Sequence, residues 1–171
     1  SHMVGVFVQA NFGTREHLTI CGINIGAGLT EPAIVTHTPP TDLSSIIVVI
    51  ATDAPLMPHQ LKRLSRRATL GMGRLGTIGN HSSGDLFLAF STANEAALAA
   101  KEASAQRAAF IPDPHLDQLF EAVVQGVEEA IINSMVAAET MVGRDGNTVP
   151  AIPHNVLRQL ADTAEPARAE E

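Results

Sequence analysis

Apolar and polar positions follow two rhythms along this chain, and the changes of rhythm mark its elements. Ile46 to Ile50 is an unbroken apolar, β-branched run, too short for a helix of its own, and it predicts a fully buried strand. Val4 to Gln9 is a second short apolar segment, ending in Ala10-Asn11-Phe12-Gly13, and Leu18 to Gly26 alternates around a central glycine. Two strands joined by a turn are the simplest account of residues 4–26. Leu61, Leu64, Ala68, Met72 and Leu75 then recur at helical spacing behind Pro58, which suits a first helical position because its missing N–H costs nothing there. This predicts one helix from His59 to about Leu75, with Lys62, Arg63, Arg66 and Arg67 on a solvated opposite face.

A small-residue loop, Gly76 to Gly84, feeds an apolar run that begins at Asp85 and ends at Ser91. Glu95 to Arg107 is Ala-rich and mildly helical. The longest periodic stripe comprises Leu116, Leu119, Phe120, Val123, Val124, Val127, Ile131, Met135 and Val136, and predicts a helix over 115–139 packed on a sheet. Glu121, Glu128 and Glu129 fall on its other side as a wet face. Gly143 to Gly146 reads as a turn, Pro153 to Asp162 as a short last helix, and the charged tail should fray. Thr30 to Asp42, rich in Pro and Thr without periodicity, reads as an exposed connector.

Composition narrows the function more than the fold. At 171 residues, 45% hydrophobic and 17% charged, the chain suits a single domain with a sizeable core. A net charge of -7 offers no general field for phosphate, so nucleic acid and anionic membranes are disfavoured as partners. No apolar run is long enough to span a bilayer. The single cysteine, Cys21, excludes an internal disulfide framework and reads as a small buried residue. His17, His37, His59, His81, His115 and His154 occur singly, without the pair spacing of a metal site, so no metal or other cofactor is expected. Gly71 to Gly76 has the letters of a dinucleotide-binding motif but sits within a helix, where that motif does not work. Ser1-His2-Met3 resembles a tag scar followed by an initiator methionine.

Two places could carry chemistry. Ser44 and Ser45 stand at the mouth of the apolar strand. They are either turn residues or the site of a self-made N-terminus, whose hydroxyl would be the nucleophile and whose α-amine the base. Asn80, His81, Ser82 and Ser83 crowd short polar groups into the glycine loop, which is either a plain helix-to-strand turn or a ligand-approach loop.

The segment Ser45-Ile-Ile-Val-Val-Ile-Ala-Thr-Asp-Ala-Pro-Leu-Met-Pro-His-Gln-Leu-Lys-Arg-Leu-Ser-Arg-Arg67 closely resembles the start of the small subunit of the L-aminopeptidase/D-Ala-esterase/amidases, which include the β-peptidyl aminopeptidases. Val8 to Gly13, Ser83-Gly-Asp85, Phe90 to Asn94, Ala138 to Met141, Gly143 to Gly146 and Ile152 to His154 match in family order. The resemblance implies an α/β (α+β) fold, a four-layer αββα sandwich of the type shared with ornithine acetyltransferase. It implies a hydrolase that cuts itself at Ser44-Ser45 and releases N-terminal residues from small peptides, amides or esters. Ser45 matches the nucleophile, Asn11 an oxyanion-binding asparagine, and Ser83 and Asp85 the pair that holds and tunes the nucleophile.

Two departures stand out. Ser44 occupies a place where relatives usually carry Gly or Asn, and the long segment that precedes Val4 in relatives is absent. On this reading residues 1–3 are a tag remnant, 4–44 the end of a large-subunit-like part and 45–171 a small-subunit-like part, all in one structural domain. One sheet face should then lie uncovered, to be met by a large-subunit-like segment or by association into a homo-oligomer. Cytoplasmic location is the default expectation, any export signal lying upstream. An uncut scaffold protein and an acyltransferase of the ornithine acetyltransferase type are the alternatives, though the latter normally starts its second chain with Thr.

Overall fold

The structure, a computed structural model, describes residues 1–37 and 44–164, with side chains described as far as Gln159. A three-stranded sheet forms its centre, in the order β1 (Val4–Asn11), β4 (Ser45–Thr52), β5 (Leu86–Ser91). β4 runs antiparallel to β1 and parallel to β5. A parallel neighbour requires a crossover, and α1 (Pro58–Ser65) and α2 (Ala68–Arg74) lie in the chain between the two strands.

α1, which packs on β5, and the later long helix that packs on β1 lie on the same side of the sheet. Ile46, Val48, Ile50 and Thr52 of β4 face that side and are at most 4% exposed. Each full burial of such an aliphatic side chain contributes about 1.5–3 kcal/mol. α4 (Asp117–Ala137) packs on β1 and α2, and turns Leu119, Phe120, Val123, Val124, Val127 and Ile131 inward. Two glycines set how closely these layers approach. A Cβ on Gly126 would lie 2.9 Å from Val6 Cγ2, and one on Gly71 would lie 2.6 Å from the Val124 carbonyl oxygen.

β4 is therefore not buried on both faces, as its unbroken apolar run suggested. Ile47 on the opposite side is 40% exposed, and its neighbours Phe7, Leu86 and Leu88 are 65%, 63% and 57% exposed. The run is continuous because both faces of the strand are apolar, while only one is covered here.

Other expectations are corrected. β1 does not pair with the next segment but with β4; residues 18–26 instead hold a miniature hairpin, β2 (Thr19–Ile20) with β3 (Ile23–Asn24). Its tip is Cys21 at φ 51 and Gly22 at φ 77, so the cysteine is an exposed turn residue and not a buried one. The helix foreseen over 59–75 is two helices broken at Arg66 and Arg67. Nor are Arg63 and Arg67 a free solvated face, since both guanidinium groups lie over the Phe120 ring, 5.3 and 3.8 Å from its centre. Glu128 is likewise not simply turned to water; it pairs with Arg74 at 3.0 Å. The Ala-rich stretch keeps one turn of helix, α3 (Glu95–Leu98).

The connector expected over 30–42 is partly ordered, Val35 exchanging backbone hydrogen bonds of 3.0 and 2.8 Å with Thr148; its residues 38–42 lie outside the described chain. Thr148 belongs to a second small hairpin, β6 (Met141–Val142) with β7 (Thr148–Val149), whose turn contains Gly143 to Gly146 as expected. α5 (His154–Ala164) follows. The Met3 backbone N–H donates to Asp53 at 2.7 Å and its carbonyl accepts from Thr52 Oγ1 at 2.6 Å.

Candidate functional site around Ser45

Side chains alternate along a strand, so Ser45 shares the uncovered face of β4 with Ile47 and Val49. It is the first residue of β4, directly opposite Asn11, the last residue of β1. Directly opposed residues in an antiparallel pair have Cα atoms about 4.5–5.5 Å apart. Asn11 and Ser45 therefore meet at one end of the sheet on one face, although 34 positions separate them in sequence.

The third component comes from the glycine loop. Because β5 lies parallel to β4 with Leu86 opposite Ile47, the residues just before β5 are carried alongside Ser45. The Gly84 backbone N–H donates to Ser45 Oγ at 3.0 Å. Asp85 Oδ1 accepts the Ile46 backbone N–H at 3.2 Å and the Ser83 hydroxyl at 2.5 Å. One carboxylate oxygen thus ties the loop to the residue that follows Ser45. The loop itself is seated by Gly76, at φ 93, where any Cβ would lie 1.8 Å from the His17 carbonyl oxygen. Only glycine fits that approach.

All four residues singled out in the sequence, Ser45, Asn11, Ser83 and Asp85, converge at this end of the sheet. Ser44 lies beside them, half-buried, without regular structure. The Gly84 N–H was missed, since backbone donors have no side-chain signature; its one signal was a residue without a Cβ between two polar partners. Ser82, another loop residue without an assigned role, has a solvent-shielded hydroxyl that lacks a partner among the described residues. No group of three or more His, Cys, Asp or Glu among the described residues is placed to hold a metal ion. No described helix is long and apolar enough to cross a membrane.

Chemically, the arrangement supplies a hydroxyl that accepts an N–H bond, an asparagine at the opposed position of the neighbouring strand, and a carboxylate that fixes the adjacent backbone. Residues 1–149 match the model of peptidase family S58. The chain belongs to that family. A β-peptidyl aminopeptidase, BapA, from Sphingosinicella microcystinivorans is 45% identical over 172 residues, an alignment covering 94% of this chain and 43% of the relative. The structure of the L-aminopeptidase D-Ala-esterase/amidase from Ochrobactrum anthropi superposes with a TM-score of 0.83 at 45% identity, covering 95% of this chain and 44% of that one. That protein is described as a prototype of the serine aminopeptidases and a new variant of the Ntn hydrolase fold. A Burkholderia sp. β-aminopeptidase matches with a TM-score of 0.77 at 38% identity, over 95% of this chain and 45% of its own.

The chain spans less than half the length of these relatives. Its mixed α/β architecture is that of the Ntn-type aminopeptidases over this stretch, and the helix layer and sheet described above agree with two of the four layers expected.

Proposed function

We propose that this chain carries the nucleophile of a self-processing serine aminopeptidase or amidase, with residues 4–44 ending the large-subunit-like part and 45–171 forming the small-subunit-like part. The observation that supports it most is the Gly84 N–H on Ser45 Oγ, with Asp85 bound both to Ser83 and to the backbone next to the nucleophile.

Self-cleavage begins when Ser45 Oγ attacks the carbonyl carbon of Ser44. The Ser44–Ser45 C–N bond breaks, its nitrogen takes up the hydroxyl proton, and an ester to Ser45 remains. Water hydrolyses that ester, leaving a carboxylate on Ser44 and a free hydroxyl and α-amine on Ser45. An unperturbed α-amine titrates at about 7.7–8.0, close to working pH, so it can take a hydroxyl proton directly or through a neighbour. A serine hydroxyl without such help is a weak nucleophile.

With a substrate amide the same attack forms an acyl ester on Ser45 and sends the proton to the departing amine; water then releases the acid. Asn11 and the Gly84 N–H are the donors for the oxyanion formed in each step. Losing one such donor typically costs about 3–4 kcal/mol. Asp85 holds Ser83 and stabilises the ammonium at the new terminus. The uncovered sheet face is met by a large-subunit-like segment or by further copies, which completes the sandwich.

Intact-mass measurement tests the first step. Fragments 1–44 and 45–171, summing to the whole chain plus one water, are expected; a persistently single chain favours the uncut scaffold instead. Release of p-nitroaniline from an alanyl anilide, lost in Ser45→Ala, tests the second. Turnover that survives Ser45→Ala would sink the reading.

A further inference from the structure

A cavity of about 290 Å³ opens where β1 ends, between the turn after Asn11, the end of α2 and the last turns of α4. Phe12, Leu75, Ile131 and Met135 contribute apolar lining, while Asn11 and His17 stand among its polar residues. Asn11 belongs both to this lining and to the register pair with Ser45. Asn11 thus links the cavity, which lies at the end of the sheet toward its helix side, to the strand end that carries Ser45.

We propose that this cavity is a specificity pocket that receives an apolar side chain flanking the scissile bond. The inference rests on Ser45 acting as proposed above. The volume is at the small end of ligand sites, which start near about 300 Å³, and suits one side chain better than an extended ligand. Its lining argues the same way: an apolar group gains from leaving water against Phe12, Leu75, Ile131 and Met135, and no acidic, Lys or Arg side chain lines the cavity to pair with a charged one. Asn11, holding the carbonyl oxygen, would leave the neighbouring substituent at the pocket mouth. Either the acyl residue or the leaving residue can supply that side chain.

Two variants change the pocket without touching Ser45, Asn11 or the loop. Ser134→Phe projects a ring from α4 into the space, and Met135→Ala enlarges it. Activity is compared on glycyl and leucyl p-nitroanilides, which vary the acyl residue, and on alanyl-glycine and alanyl-leucine, which vary the leaving residue. In one of the two pairs, Ser134→Phe should lower kcat/KM for the leucyl member at least tenfold relative to the glycyl member, and Met135→Ala should move the preference toward a phenylalanyl substrate. The responding pair says which residue the pocket receives. Ratios within twofold of wild type in both pairs, with both variants melting as wild type, overturn the proposal.

A binding readout separates this failure from that of the catalytic reading. Methyl resonances of Ile131 and Met135 in the 171-residue chain should shift with leucinamide and stay still with glycinamide. Shifts at both methyls support the pocket even if turnover proves independent of Ser45. Silent methyls beside Ser45-dependent turnover overturn the pocket alone.

Discussion

At the scale of single residues, one oxygen ties the glycine loop to the central strand: Asp85 Oδ1 accepts both the Ser83 hydroxyl and the Ile46 backbone N–H. Ser45 could be named as one of two hydroxyls before an apolar strand, and Ser83 as one of the polar residues in the glycine loop; Asn11 and Asp85 could be named only through the family resemblance. The Gly84 N–H could not, nor could the position of Cys21, whose apolar neighbours hid a two-residue turn needing positive φ at both positions. Asp85→Asn keeps the side chain's shape but removes the charge that faces the Ser83 hydroxyl and the Ile46 N–H. It should slow processing at Ser44-Ser45 and substrate turnover at least tenfold, with melting little changed. Time-resolved intact mass and anilide hydrolysis read both rates, and wild-type rates would show the charge to be idle.

Asp113 carries a second residue-scale prediction. A hydrogen bond from buried Gln60 at 2.7 Å, with help from the Arg63 guanidinium, holds its carboxyl below the usual carboxylate value. A carboxyl lowered in the fold adds stability that is fully present above its unfolded value, about 3.9, and is lost as pH falls through the folded one. Asp113→Asn should therefore melt below wild type at about pH 6, and the gap should close on acidification below about pH 4. A gap that persists unchanged to the acid limit would mean the carboxylate's charge contributes nothing.

Among elements, the long periodic helix was the easiest to read: α4 falls within two residues of its expected ends. Periodicity alone could not reveal the break between α1 and α2, because the apolar spacing continues across it and Arg66 and Arg67 are ordinary helix formers. What separates the two helices is tertiary. Arg67 swings onto Phe120 of α4, and α2 is pressed so closely against the same helix that Gly71 has no room for a side chain. Helix propensity would favour Gly71→Ala by about 1 kcal/mol. Here the added methyl meets the Val124 carbonyl at 2.6 Å and Val127 Cβ at 2.8 Å, both on a rigid helix. Overpacking of this sort costs about 1–3 kcal/mol, so the substitution should be destabilising on balance. Urea unfolding decides the sign; a rise in midpoint would show that α2 can slide away from α4 at little cost.

For the molecule as a whole, the apolar run of β4 carried a message that one strand could not disclose: two faces are apolar, and only one of them meets helices. Phe7, Val49 and Leu88 form a row across the three strands on the other face, flanked by Ile47 with Leu86 and by Ala51 with Phe90. A contiguous apolar surface of this kind drives association. Ser45 and Asn11 lie at the end of the same face, so whatever covers the row also closes over the proposed nucleophile and excludes water from it. Leu88→Lys places a charge at the outer end of that row, on a side chain already 57% exposed, and so leaves the helix-side core untouched. In the isolated chain it should shift sedimentation toward smaller species while melting as wild type. Where a large-subunit-like segment covers the face as proposed, the same lysine would be buried without a partner, and it should lower the melting temperature and the rate of anilide hydrolysis together. Lysine tolerated in both settings would mean that this face stays in water, and the closed sandwich proposed around Ser45 would have to be abandoned.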